Sequence, residues 1–272
     1  MGRTSIWVDL LKLLVSFALL WLGYTYISPM IPTGWLPNGS WDPDAITLSI
    51  EQEEDLGEFL MEIFEIQQSE KVSPKVDSAL WVIENRLLTN LGPTDYEYKF
   101  MIIDDPMVNA MTLPGGNIIV YTGLLAVSDT PEEVAAVLAH EIGHAEQRHV
   151  VDKIVAELGI TFVMAVLTGG DPGLVREITQ AVVSNVFSRS QEQEADQFGL
   201  DLLERSHIDP HALAAFFRKL NRENLSYDAE MEWLMSHPHN NSRIKASLAY
   251  KVEEGFQAEP IAIDWEALKS SL

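Results

Sequence analysis

The stretch "LAHEIGHAEQRHVV", residues 138–151, sets two histidines four positions apart with a glutamate between them. On a helix, His140 and His144 project from one face. Glu141 is turned about 100° from His140, near enough to act on a water beside a metal without ligating the metal itself. Neutral imidazoles are zinc donors and a neighbouring carboxylate can take a proton from water, so the pattern has a chemical reason. The residues before it predict a helix. Thr130 suits the N-cap, Pro131 the first helical position, and Glu133 completes a capping box with Thr130. Val134, Leu138, Ile142 and Ala145 supply an apolar stripe, and Gly143 leaves space for a close approach.

Two histidines do not complete a metal site. The extension of the motif found in some zinc peptidases would need glycine at 147 and histidine at 150, but Gln147 and Val150 stand there. His149 is one position off, an error of about 100° on a helix, and is expected to be structural, as a dipole partner in the last turn. A better source lies in "FSRSQEQEADQFGLDLL", residues 187–203. Glu192 and Asp196 share one helix face. One carboxylate of such a pair can bind zinc while the other hydrogen-bonds a ligating histidine and sets its tautomer. Glu194 is expected to face solvent.

The rest of the chain narrows the setting. A formal charge of −23 excludes a nucleic-acid surface, which needs clustered Lys and Arg. Without cysteine there is neither a disulfide framework nor a thiolate metal site. Glu51 to Glu70 carries eight acids and no base around Leu56, Phe59, Leu60, Ile63 and Phe64, which reads as a solvated helix face opposite a buried stripe. Ile6 to Ile27 is 22 residues long and mostly apolar, enough to span a bilayer core, with Trp21, Tyr24 and Tyr26 suited to the far interface. Its length, and the lack of a small-x-small site before Ser28, favour an uncleaved anchor over a signal peptide. Arg3 and Lys12 precede a run without Lys or Arg from Leu13 to Glu70, which puts the bulk of the chain outside the cytoplasm, on a periplasmic or extracellular side. Residues 1–28 are therefore read as the anchor and 29–48, rich in Pro and Gly, as a linker. The run "LGITFVMAVLTGG", residues 158–170, is too short to span and is expected to be a buried helix.

From Met101 to Ile244 the chain resembles the HtpX-like and CaaX-prenyl-endopeptidase family of gluzincin metallopeptidases. The resemblance rests on "VNAMTLPGGNIIVYTGLL" (108–125), "HEIGH" (140–144), "SRSQEQEAD" (188–196) and "SHPHNNSRI" (236–244), in the family's order. It implies His140, His144 and Glu192 as ligands of one zinc per chain, Glu141 as general base and Asp196 behind the ligands. His237 would reach the site, stabilising an oxyanion or filling the open metal position in a resting form. Asn109, Ala110, Met111 and Thr112 would border the cleft and take an extended peptide as an added strand. Arg243 is expected to tie the His237 loop to the core.

The expected fold is α+β and predominantly helical, a zincin-like domain over residues 49–272 with a small antiparallel sheet beside the active-site helix. "YKFMIIDDPMVNAMTLPGGNIIVYTGLL" shows strand-like runs around a Pro114-Gly115-Gly116 turn. The expected activity is zinc-dependent hydrolysis of extended or misfolded polypeptides, with the lipid bilayer as a second partner through residues 6–27. The competing reading is a zinc-gated polypeptide-binding or assembly factor that cuts little or nothing. A structural zinc site would instead show four protein ligands and no cleft.

Overall fold

The computed structural model describes residues 48–67, 72–169, 172–183, 186–222, 237 and 241–272. The expected anchor and nearly all of the linker lie outside them. Helices α1 (Ile50–Gln67) and α2 (Pro74–Thr89) precede strands β1 (Lys99–Ile103), β2 (Ala110–Leu113) and β3 (Asn117–Tyr121). Then come α3 (Thr122–Val127), α4 (Pro131–Glu146), α5 (His149–Leu158), α6 (Ile160–Leu167) and α7 (Pro172–Val183). The described residues continue with α8 (Arg189–Arg205), α9 (Ala212–Arg222), α10 (Asn241–Ala249) and α11 (Trp265–Lys269). The mainly helical α+β class agrees with the sequence, and among the described residues no helix is long and apolar enough to cross a membrane.

The sheet is mixed rather than antiparallel, in the order β1-β3-β2. Strands β2 and β3 form the antiparallel hairpin expected around Pro114-Gly115-Gly116, with Leu113 opposite Asn117. Strand β1 instead runs parallel to β3, with Lys99 opposite Asn117 and Ile103 opposite Tyr121. The cause is the connection after β1. Asp105 O accepts from Gly123 N at 2.9 Å, and Asp105 N donates to Thr122 Oγ1 at 3.0 Å. The chain thus crosses the end of β3 before entering β2, and β3 slots between the other two. A Cβ on Gly123 would come within 2.2 Å of Pro106 O, so only glycine admits this crossing.

Alternation along the strands makes two layers of core. Ile102, Ala110, Ile118 and Val120 pack with α2, α4, α8 and α9, while Met111, Leu113, Ile119 and Tyr121 pack with α1 and α5–α7. Helix α4 lies at the centre. Every residue from Glu133 to Ala145 is buried, so the single stripe read from the sequence was too narrow. Its start is capped by Thr130, but Glu133 reaches one residue further back than a capping box would, accepting from Asp129 N at 2.8 Å. On α1 the stripe is as expected, with Leu56, Leu60 and Phe64 buried. One acid of its supposed solvated face is not solvated: Glu53 is fully buried, held by Tyr96 Oη at 2.6 Å and by the Arg148 guanidinium. Helix α6 buries Val163 and Val166, in keeping with a short packed helix.

Half-buried Glu84 on α2 is an energetic weak point. Burial, and second the Asp77 carboxylate two turns earlier, push its pKa up to about 7 from 4.5. A raised folded-state pKa means the group's favourable contribution is complete below about pH 4.5 and is lost as pH rises through about 7. Glu84→Gln is therefore expected to stabilise the protein by about 1–2 kcal/mol at pH 8, allowing for partial solvent screening, and not at pH 4. Denaturant unfolding at the two pH values checks this.

Candidate metal centre and active site

Helix α4 sets His140 and His144 one turn apart with their Nε2 atoms 3.1 Å from each other. Helix α8 brings Glu192 to the same point, Oε1 at 3.5 Å from His144 Nε2 and Oε2 at 3.7 Å from His140 Nε2. His237, a few residues before α10, approaches with Nδ1 at 3.2 Å from His140 Nε2 and 3.1 Å from Glu192 Oε1. All four ligand atoms lie within 4.8 Å of one another, and all four residues are buried. A tetrahedral zinc with nitrogen and oxygen ligands at about 2.0 Å would separate neighbouring ligand atoms by about 3.3 Å. The five separations above bracket that figure. Three imidazoles and one carboxylate are also the right donors, so the residues fit the ion.

The electrostatics hold His144 and Glu192 in metal-binding forms and draw His237 toward protonation. Burial drives the His144 pKa well below the usual histidine value despite the opposing Glu192 carboxylate, so its imidazole is neutral. Burial pushes Glu192 upward, but His237, His144 and His140 outweigh it and hold the carboxyl well below the usual range. His237 is raised: burial opposes its charge, and Glu192 followed by Glu141 overcome that opposition.

Behind these four stands a ring of supports. Asp196 Oδ1 lies 3.0 Å from His140 Nδ1. Arg243, buried on α10, donates from Nε and Nη2 to the two Asp196 oxygens, each at 2.6 Å, and from Nη1 to Glu192 Oε2. Its guanidinium also sits 4.7 Å from the Phe217 ring centroid. Arg243 thus couples both carboxylates of α8, a larger role than tying down a loop. The signal for it was the pair of acids on one helix face, which cannot be buried without a cation. Glu141 accepts from Thr112 Oγ1 at 2.7 Å and has Oε1 3.5 Å from His237 Nε2.

The structure thus brings together His140, His144, Glu192, His237, Glu141 and Asp196. Of the strand residues, Ala110 and Thr112 face α4 while Met111 faces the opposite layer, and Asn109 is buried just before β2. Sequence reasoning misjudged His149. Helix α4 does not continue to it: Arg148 adopts a left-handed conformation with φ 56°, and His149 opens α5. The break returns its ring to the site, with Nδ1 2.9 Å from His144 Nδ1. Burial lowers the His149 pKa, with Glu194 opposing. Glu194 is more than half exposed, yet its Oε2 lies 3.2 Å from His149 Nε2.

The profile of peptidase family M48 matches residues 79–251, more than half of the chain. A β-barrel assembly-enhancing protease of Yersinia pestis is 31% identical over 213 residues, covering 73% of this chain and 43% of that protein. Mitochondrial metalloendopeptidase OMA1 of Arabidopsis thaliana is 34% identical over 181 residues, 66% of this chain and 35% of that one. Metalloprotease LoiP of Escherichia coli K12 is 36% identical over 149 residues, 52% of this chain and 58% of that one. The chain spans less than two thirds of the length of each of these relatives.

Proposed function

Because this chain belongs to peptidase family M48, we propose that it is a zinc-dependent endopeptidase that cuts extended or misfolded polypeptides. In this reading residues 6–27 anchor it, the catalytic part lies outside the cytoplasm, and its work is protein quality control at a membrane. The relatives named for β-barrel assembly support that setting. The observation that carries the proposal is the convergence of two imidazoles from α4 with a carboxylate from α8, beside a second, non-ligating carboxylate.

His140, His144 and Glu192 would hold one zinc, which when bound polarises the scissile carbonyl and acidifies the attacking water. Glu141 takes the proton from that water and returns it to the leaving amine. Thr112, whose hydroxyl donates to Glu141, keeps the base aimed. Asp196 Oδ1, 3.0 Å from His140 Nδ1, would hold the ring proton on that nitrogen and leave Nε2 bare toward the ligand cluster. Arg243 keeps Asp196 ionised in a buried setting and donates to Glu192 as well. Substrate lies along β2, one of the two edges of the sheet among the described residues, and adds to it as a strand. The Asn109 side-chain oxygen, buried without a hydrogen-bond partner among the described residues, suits a substrate amide.

His237 supports a latent form. Once unprotonated, its Nδ1 would take a fourth ligand position on a bound zinc, the one a catalytic site keeps open for water. Casein cleavage under excess zinc, compared between wild type and His237→Ala, tests the proposal. The variant is expected to cut faster than wild type. If neither cuts while both still bind casein, the peptidase reading falls and the zinc-gated binding or assembly factor takes its place.

A further inference from the structure

Resting on the reading of His144 as a metal ligand, we infer that His149 and Glu194 form a relay that fixes the tautomer of His144 and so sets the tightness of metal binding. His144 faces the ligand cluster through Nε2, and its other nitrogen lies 2.9 Å from His149 Nδ1. Two ring nitrogens at that distance share one proton, so one donates and the other accepts. The far end of the relay decides which. His149 Nε2 lies 3.2 Å from Glu194 Oε2, and a carboxylate only accepts, so Nε2 carries the proton. Neutral His149 then has a bare Nδ1, which accepts from His144 Nδ1. His144 Nε2 is left without a proton and ready for a metal. The opposite polarity would put a proton on the ligating nitrogen.

The surroundings hold this alignment. Arg148 in its left-handed turn sends His149 back toward the site. The Phe187 ring stacks on His144 with centroids 3.9 Å apart and planes 24° apart, blocking rotation of the imidazole. His149 is itself buried, and only Glu194 reaches solvent. Asp196 performs the corresponding service for His140 directly, so the two imidazoles of α4 are oriented by different devices. His149 and Glu194 are positioning residues: neither lies among the ligand atoms.

Zinc affinity of the full chain, measured by competition with a chromophoric chelator, tests the relay. His149→Phe, which keeps the ring and removes the acceptor, is expected to weaken zinc binding by about 10- to 100-fold. His149→Gln, whose amide oxygen can accept from His144 Nδ1, is expected to restore most of it. Glu194→Ala, a surface change that leaves the fold intact, is expected to weaken binding by about three- to tenfold, less because solvent can replace the carboxylate. In the 15N spectrum of zinc-loaded wild type, His144 should carry its proton on Nδ1 and His149 on Nε2. Unchanged affinity in both His149→Phe and Glu194→Ala, or His149 protonated on Nδ1, overturns the inference. Glu192→Ala separates the two levels: if that variant keeps tight zinc, the ligand reading itself has failed.

Discussion

Glu141→Gln is expected to lower casein hydrolysis by about 10³- to 10⁴-fold while leaving zinc content unchanged. The side chain is fully buried on α4 and nearly isosteric with glutamine. The amide oxygen can keep the bond from the Thr112 hydroxyl, now 2.7 Å from Glu141 Oε2, so the base is lost with little change of shape. Glu141 contributes none of the four converging ligand atoms, so metal binding has no reason to change. His237 does not substitute as a base. Although burial opposes its charge, Glu192 and Glu141 draw it toward the protonated form. Metal analysis together with turnover of the His237→Ala background gives the measurement. Retention of more than about a tenth of the activity would remove Glu141 from the role of general base.

Gly143→Val is expected to separate the two helices that make the site. A Cβ at this position would lie 2.8 Å from Ala195 O and 3.0 Å from Ala195 Cα, both main-chain atoms that cannot rotate away. Gly199 makes the reciprocal contact from α8, where a Cβ would lie 3.1 Å from His140 N. Helix propensity favours the substitution by less than about 1 kcal/mol. Forcing a branched side chain between packed backbones costs about 3 kcal/mol or more, so the clash wins. Glu192 and Asp196 flank Ala195 on α8, and any outward shift moves the carboxylates away from His140 and His144. Denaturant unfolding should show the loss of stability, and chelator competition a fall in zinc affinity of at least about tenfold. Gly159→Ala is the control. Its Cβ would meet nothing within 4 Å, and only its φ of 81° penalises a side chain, by about 1–2 kcal/mol. That variant should lose some stability and keep its metal. Equal metal binding in both variants would show that the close contact between α4 and α8 does not position the site.

The sequence alone identified what depends on local periodicity. Four-residue spacing on a helix sets His140 beside His144 and Glu192 beside Asp196, wherever those helices finally lie. The same holds for the Thr130 cap, the hairpin turn at Pro114-Gly115-Gly116 and the buried stripe of α1. The family motifs extended that reading to His237. Tertiary structure decided whatever depends on one element meeting another. The approach of β1 to β3 in parallel follows from a crossing over Gly123. Glu53, in a run of solvated acids, is buried because Tyr96 and Arg148 arrive from elsewhere to receive it. His149 was assigned by continuing α4 past its end, and a single left-handed residue at 148 reversed its direction. Helical geometry is short-ranged and repeats along the chain. A buried charge or a shared proton is settled only by the partner that packing brings within 3 Å.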